Sequence, residues 1–333
     1  MARGRKNRSG RLFVVVILGL AGGGAAYYWN FLPGSWSRNQ PDPNGARPPL
    51  TSHRPEMADP DGGPHADVPE RGLKPDSADR QERFDLQRGR ALLAAGRAAM
   101  KRNQLVTARS QLTEALACDL PLDELVQLKA DLTRLAEETL LSRRILPEDP
   151  FVAPHIIQPG ETLGKIARRY AVTDDLLARI NGILDKDRIR AGQRIKVIRG
   201  PFHAVITKGD YRLEVYLNGT FVKQYPVGLG DDGSTPTGRW KVKNKLKNPQ
   251  YYPPRGGQII LADDPENPLG ERWIGLEGIE GEAVGQERYG IHGTIEPESI
   301  GKSVSLGCIR LYSADVEELY EMLVEEKSEV TVR

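Results

Sequence analysis

Apolar positions are spread very unevenly along the 333 residues. Arg3, Arg5, Lys6, Arg8 and Arg11 precede any acidic residue, and Leu12 to Trp29 then runs without a charge. That run is near the short end of what spans a bilayer, and Tyr27, Tyr28 and Trp29 close it as interfacial aromatics do. Residues 1–32 therefore read as a basic cytoplasmic end followed by a membrane anchor. A cleaved signal peptide is the alternative, with Gly24 and Ala26 small enough for a cleavage site. In both cases the rest of the chain is exported.

Residues 33–79 are rich in proline and charge, with Trp36 as the only aromatic residue, and read as a disordered linker. As a flexible coil it would span about 40 Å. Residues 80–148 change to helical periodicity. Leu92, Ala95, Ala99 and Met100 form one apolar face; Leu105, Ala108, Leu112, Ala115 and Leu116 a second; Leu125, Leu128, Leu132 and Leu135 a third. Asn103-Gln104 and Asp119-Leu120-Pro121 punctuate them. The spacing of Gly96, Ala108, Leu112 and Ala115 resembles a tetratricopeptide repeat, which implies a surface for a protein partner; a plain helical spacer is the other reading.

Residues 152–199 read as strand, helix, helix, strand: His155 to Ile157, Thr162 to Tyr170, Asp174 to Ile180 and Arg194 to Ile198. Thr162 can cap the first helix, and Leu163, Ile166, Ala167 and Tyr170 give it an apolar stripe. The run Gln158-Pro159-Gly160-Glu161-Thr162-Leu163, followed by Ile166-Ala167, Tyr170, Leu176, Asn181-Gly182, Ile189 and Gly192-Gln193-Arg194-Ile195, resembles a LysM domain. The resemblance implies binding to the glycan strands of peptidoglycan, or to chitin, through the loop at Gly160, Glu161 and Thr162 and the segment at Asn181 and Gly182.

From residue 201 onward alternation at period two takes over. Leu213 to Leu217 and Phe221 to Val227 flank the turn signal Asn218-Gly219, Trp240 to Val242 and Trp273 to Leu276 are further strands, and Ser313 to Lys327 is a closing helix with Ser313 as its cap. Residues 201–333 are thus a mainly β domain, and the chain as a whole is multidomain.

Composition narrows the function. A net charge of +2 gives no support to nucleic-acid binding. Two cysteines, Cys118 and Cys308, are too few for a disulfide framework and read as free thiols. Cys118 ends a helix and reads as a small buried residue. Cys308 lies in Ser303-Val304-Ser305-Leu306-Gly307-Cys308-Ile309-Arg310-Leu311, and Tyr289-Gly290-Ile291-His292-Gly293-Thr294 precedes it. A cysteine nucleophile needs a base, and histidine is the usual one. The amides of Gly307 and Cys308 are candidate oxyanion donors, and Arg310 is a candidate carboxylate ligand. Two clear ligands are fewer than zinc needs, so neither metal nor cofactor is expected. Spacing alone leaves inert packing open.

These motifs, with Pro226-Val227-Gly228 and Thr235 to Trp240, resemble the YkuD-type L,D-transpeptidase catalytic domain over residues 201–333. The resemblance implies that Cys308 attacks a stem tetrapeptide, releases its terminal D-alanine, and passes the acyl group from a thioester to an amine. It implies His292 as the base, oriented by the Gly293 carbonyl, and Ser305, Gly307 and Arg310 around the substrate; Ser305 and Arg310 could equally shape the loop. A carboxypeptidase using water as acceptor, and a non-catalytic wall tether, are the rival readings. The segment Asn248 to Glu271 is irregular and leaves the substrate rim undefined.

Overall fold

The computed structural model describes residues 77–253 and 256–333. The expected basic end, the membrane anchor and nearly all of the linker lie outside the described residues. Among the described residues no helix is long and apolar enough to cross a membrane.

Three helices come first: α1 (Ser77–Lys101), α2 (Leu105–Leu116) and α3 (Leu122–Thr139). They break where the sequence predicts. Asn103 takes a left-handed φ of 58°, and Pro121 caps α3. The buried face of α1 is centred on Leu93, Gly96 and Ala99, one residue away from the stripe expected at Leu92 and Ala95. The reason is contact with α2: a Cβ at Gly96 would lie 2.5 Å from Cδ2 of Leu112, so the helices cross at the glycine. Cys118 is buried, as expected.

Next follow β1 (Val152–Ile156), α4 (Leu163–Tyr170), α5 (Asp174–Asn181) and β2 (Arg194–Ile198), with β1 antiparallel to β2. Thr162 and Thr173 cap the two helices by accepting hydrogen bonds from the backbone N–H of Lys165 and Leu176.

The remaining strands are β3 (Phe202–Thr207), β4 (Arg212–Leu217), β5 (Thr220–Pro226), β6 (Leu229–Gly230), β7 (Gly238–Lys247), β8 (Arg272–Gly281), β9 (Tyr289–His292), β10 (Ser303–Ser305), β11 (Ile309–Arg310) and β12 (Glu329–Val332), with α6 (Ser313–Met322) before the last. Eight of them form one mixed sheet in the order β11-β9-β8-β7-β12-β3-β4-β5. Asn218 and Gly219, both at positive φ, make the tight β4–β5 turn that the dipeptide predicts. Helix α6 is shorter than expected and Tyr312, not Ser313, occupies its cap position. Its C-terminal carbonyls have a partner from another strand: Lys245 Nζ donates to Tyr320 O (2.5 Å) and Leu323 O (2.6 Å), and the chain leaves the helix at Leu323.

These parts form one body, not beads on a string. Phe221 of β5 sits in the core of the helical segment, and Tyr216 of β4 packs against it. Lys129 of α3 pairs with Glu214 of β4 at 2.6 Å. Buried Lys196 of β2 donates to Thr139 O and Ser142 O at the end of α3. Helix α5 docks on α6, where the Thr173 hydroxyl donates to the Glu321 carbonyl and Arg179 pairs with the Glu321 carboxylate. The apolar core runs without interruption from the β1–β2 unit into the large sheet.

Candidate active site

The site lies at the β11 end of the large sheet. Strands β9 and β11 are parallel, with Ile291 opposite Ile309 and His292 opposite Arg310. Cys308 stands one residue before β11. Both Cys308 and His292 line one cleft of about 550 Å³.

His292 is buried and held from two sides. Its Nδ1 lies 2.6 Å from the carbonyl oxygen of Gly293, and its ring stacks on Trp273 at 5.8 Å and 19°. A carbonyl only accepts, so Nδ1 carries the proton and Nε2 keeps its lone pair. Burial pushes the imidazole pKa down to about 4, against the Gly293 carbonyl that raises it, with the Arg310 charge adding a smaller downward push. The Cys308 thiol is half-buried, and burial pushes its pKa above the ordinary value, with the Gly290 amide and Arg310 opposing. At rest the cleft is therefore lined by a neutral thiol and a neutral imidazole. Proton transfer has to accompany attack on a substrate.

The turn carrying Cys308 is fixed by its neighbours. Gly307 has φ +126°, and a Cβ there would lie 2.7 Å from the Tyr289 ring and 2.9 Å from the Ser234 carbonyl. Its amide donates to Ser305 Oγ (3.2 Å), and Ser305 Oγ donates to Cys308 O (2.7 Å). The Gly307 amide is thus engaged within the turn, where the sequence had marked it as an oxyanion donor, and buried Ser305 ties the turn. Fully buried Thr235 donates to Gly307 O and accepts from Gly230 N–H, both at 2.9 Å. Arg310 reaches the cleft while paired with Glu296 at 2.6 Å. Gly307→Ala is expected to displace Cys308 and to cut its alkylation rate by iodoacetamide by about tenfold or more, checked by intact-protein mass spectrometry.

Described residues of the irregular segment between β7 and β8 form one wall of the cleft. Tyr251 bridges to Ile260, and buried Asn267 donates to the carbonyls of Pro249, Leu261 and Ala262. Tyr251, Tyr252 and Pro253 line the cleft from it. Three residues at the cleft, Trp273, Arg288 and Tyr251, carry no site signal in the sequence, whereas the supporting Thr235 does, inside its Thr-Pro-Thr-Gly motif.

The residues marked for glycan contact occupy the β1–α4 loop and the end of α5. Gly160 is exposed at φ +79°, and Gly182 ends α5 at φ +65°. The other three side chains are occupied internally. Glu161 accepts from His155 Nε2 (2.8 Å), the Gln158 amide (2.9 Å) and Arg169 (2.9 Å). Thr162 caps α4. Asn181 is buried, donating to Leu177 O and Lys196 O and accepting from Lys196 N–H.

A mainly β domain with a thiol and an imidazole lining one cleft has the layout of a cysteine acyltransferase. The L,D-transpeptidase catalytic domain family (YkuD) matches residues 201–332, and the LysM domain family matches residues 155–197. A Bacillus licheniformis protein named "Putative L,D-transpeptidase YkuD" is 34% identical over 170 residues, covering 49% of this chain and 88% of the relative. Its Bacillus subtilis namesake is 34% identical over 171 residues with the same coverage. The Escherichia coli K12 protein "Probable L,D-transpeptidase YcfS" is 29% identical over 206 residues, 54% of this chain and 61% of its own. The chain belongs to the YkuD-type L,D-transpeptidase family and carries a LysM domain ahead of the catalytic domain.

Proposed function

We propose that this protein is a peptidoglycan L,D-transpeptidase with Cys308 as nucleophile and His292 as base. The Cys308 proton moves to Nε2 of His292 as Sγ attacks the carbonyl of the third residue in a stem tetrapeptide. The bond to the terminal D-alanine breaks, and His292 returns the proton to the leaving amine. A thioester on Cys308 remains. An acceptor amine from a second stem attacks it, gives its proton to His292, and the thiol is restored. The observation that carries this reading is the pinned Nδ1 of His292, which leaves Nε2 in the cleft that Cys308 lines. Gly293 orients the base through its carbonyl. Ser305 and Gly307 hold the nucleophile's turn, and Arg310 faces the donor peptide.

The LysM unit would hold glycan strands along the outer surface of the Gly160–Thr162 loop and the segment at Asn181 and Gly182, with Glu161, Thr162 and Asn181 keeping those loops in shape. Together the two domains suit the cell envelope. The charge-free run Leu12 to Trp29 would anchor the protein in the cytoplasmic membrane, with the proline-rich linker giving reach. The helical segment would present its tetratricopeptide-like surface to a protein partner.

The test is incubation of the full chain with disaccharide-tetrapeptide muropeptides, read by mass spectrometry. The expected products are an acyl-enzyme heavier by the donor minus its terminal alanine, and dimers lacking one terminal alanine. Monomers shortened by one alanine, with no dimers at any acceptor concentration, would make the protein a carboxypeptidase instead.

A further inference from the structure

We propose that Arg288 is a specificity residue that reads a free carboxylate flanking the scissile bond of the acyl donor; this rests on the transpeptidase reading above. Arg288 takes a left-handed φ of 69°, a conformation uncommon for a long side chain and concentrated at functional sites. Its carbonyl oxygen lies 3.9 Å from Cys308 Sγ, so its backbone is in contact with the nucleophile. Its side chain is exposed and lines the same cleft as His292 and Cys308.

The charge around it is one-sided. The cleft lining holds two cations, Arg288 and Arg310, and no carboxylate. Arg310 is already engaged with Glu296 at 2.6 Å. Arg288 has no acidic partner among the described residues, and its neighbour Glu287 is paired with Lys243. The other walls are apolar or neutral, including Tyr251, Tyr252, Leu269 and Trp273. A guanidinium without an acidic partner on the wall of such a cleft selects an anion, and a planar carboxylate matches its donor fork. A stem tetrapeptide carries a carboxylate at its terminus and, with a diamino-diacid in third place, another on that side chain. Both flank the bond that breaks.

The experiment uses the full chain and three donors: the tetrapeptide with both carboxylates free, the terminal amide, and the third-residue side-chain amide. Wild type is expected to prefer the free acid over one of the two amides by about tenfold or more in kcat/KM, mainly through KM. Which amide is disfavoured identifies the carboxylate read. Arg288→Ala should bring that ratio close to one, and Arg288→Lys should keep part of it. A second measurement is independent of peptide chemistry. Alkylation of Cys308 by anionic iodoacetate relative to neutral iodoacetamide should fall severalfold in Arg288→Ala. If wild type turns over none of the donors, the transpeptidase reading fails and the alkylation ratio alone decides the role of Arg288. An alkylation ratio in Arg288→Ala within about twofold of wild type overturns the proposal.

Discussion

Cys308→Ala is expected to reduce dimer formation from muropeptides to the level without enzyme and to abolish the acyl-enzyme mass, while His292→Gln lowers the acylation rate by about two to four orders of magnitude. The two variants differ because they remove different things. Alanine leaves no atom able to carry the acyl group. Glutamine leaves the nucleophile but no group that takes its proton, so acylation has to proceed through the small thiolate fraction in solution. That fraction is smaller than for a free cysteine, because burial holds the Cys308 thiol above its ordinary pKa. The pH profile separates this picture from a preformed thiolate–imidazolium pair. With the His292 pKa pushed down to about 4, the acid limb of kcat/KM is expected near that value, well below the 6.5 of an ordinary histidine. His292→Gln should lose this limb and gain a rate that climbs tenfold per pH unit toward the alkaline side. An acid limb at 6 to 7 in wild type would mean that the imidazole is not desolvated as its position indicates. The same shift has a stability consequence. The unfolded chain binds a proton at His292 below about 6.5 and the folded chain only below about 4, so stability falls as pH drops through that window. Chemical denaturation at pH 7 and pH 4.5 checks the sign.

Much of this site was legible before the fold was known, and the reason is physical. The proposed nucleophile, its base and the tight turns around them call for particular residue types at particular spacings, so Gly293 beside His292 and Gly307 beside Cys308 stand out in the sequence. Helix breaks at Asn103 and Pro121 and the Asn218-Gly219 turn were readable for the same reason: each is a local backbone demand. Packing partners are not local. Trp273 reads as one more strand residue, and only the register of β8 against β9 places it on the ring of His292. The two short motifs of the LysM unit located its loops, but not which side chains face inward. The position of Asn181 fits the motif for a sugar contact, and in the structure its amide makes three backbone bonds. Ser305 reads equally as a substrate contact or a loop residue, and its hydroxyl bonds within the turn. The most complete miss was the union of the three folded parts. Lys129, Lys196 and Arg109 read as surface charge in a sequence, because charged residues are almost never fully buried unless paired, and their partners lie far away along the chain.

Arg109 carries the second large effect, this one on stability. It sits on α2, and with its partner Asp149 it is almost entirely removed from solvent, the side chains being 3% and 0% exposed. The guanidinium meets both carboxylate oxygens, at 2.8 and 2.7 Å, donates to Thr139 Oγ1 at 2.6 Å, and lies 5.0 Å over the Phe151 ring. Asp149 also accepts from the Phe151 N–H at 3.0 Å, just before β1 begins. One charge pair thus joins α2, the end of α3 and the entry to the LysM unit. Arg109→Ala leaves the Asp149 carboxylate buried without its counter-charge, and breaking such a pair costs about 3–5 kcal/mol. For a body of this size that is a drop in Tm on the order of 10 °C. The double variant Arg109→Met/Asp149→Leu removes both charges and fills the space, so it is expected to recover at least half of the loss. Thr139 does not become an orphan in either variant, since its hydroxyl also donates to Leu135 O. Calorimetry should give a single transition in wild type, because the helical core takes in Phe221 from the sheet and the core of the β1–β2 unit is continuous with that of the sheet. A loss below about 1 kcal/mol in Arg109→Ala, or helical unfolding well separated from the catalytic domain, would show that the three parts are only touching. If they are one cooperative unit, the LysM loops proposed for glycan and the Cys308 cleft keep a fixed separation, and truncating the LysM unit should destabilise the catalytic domain.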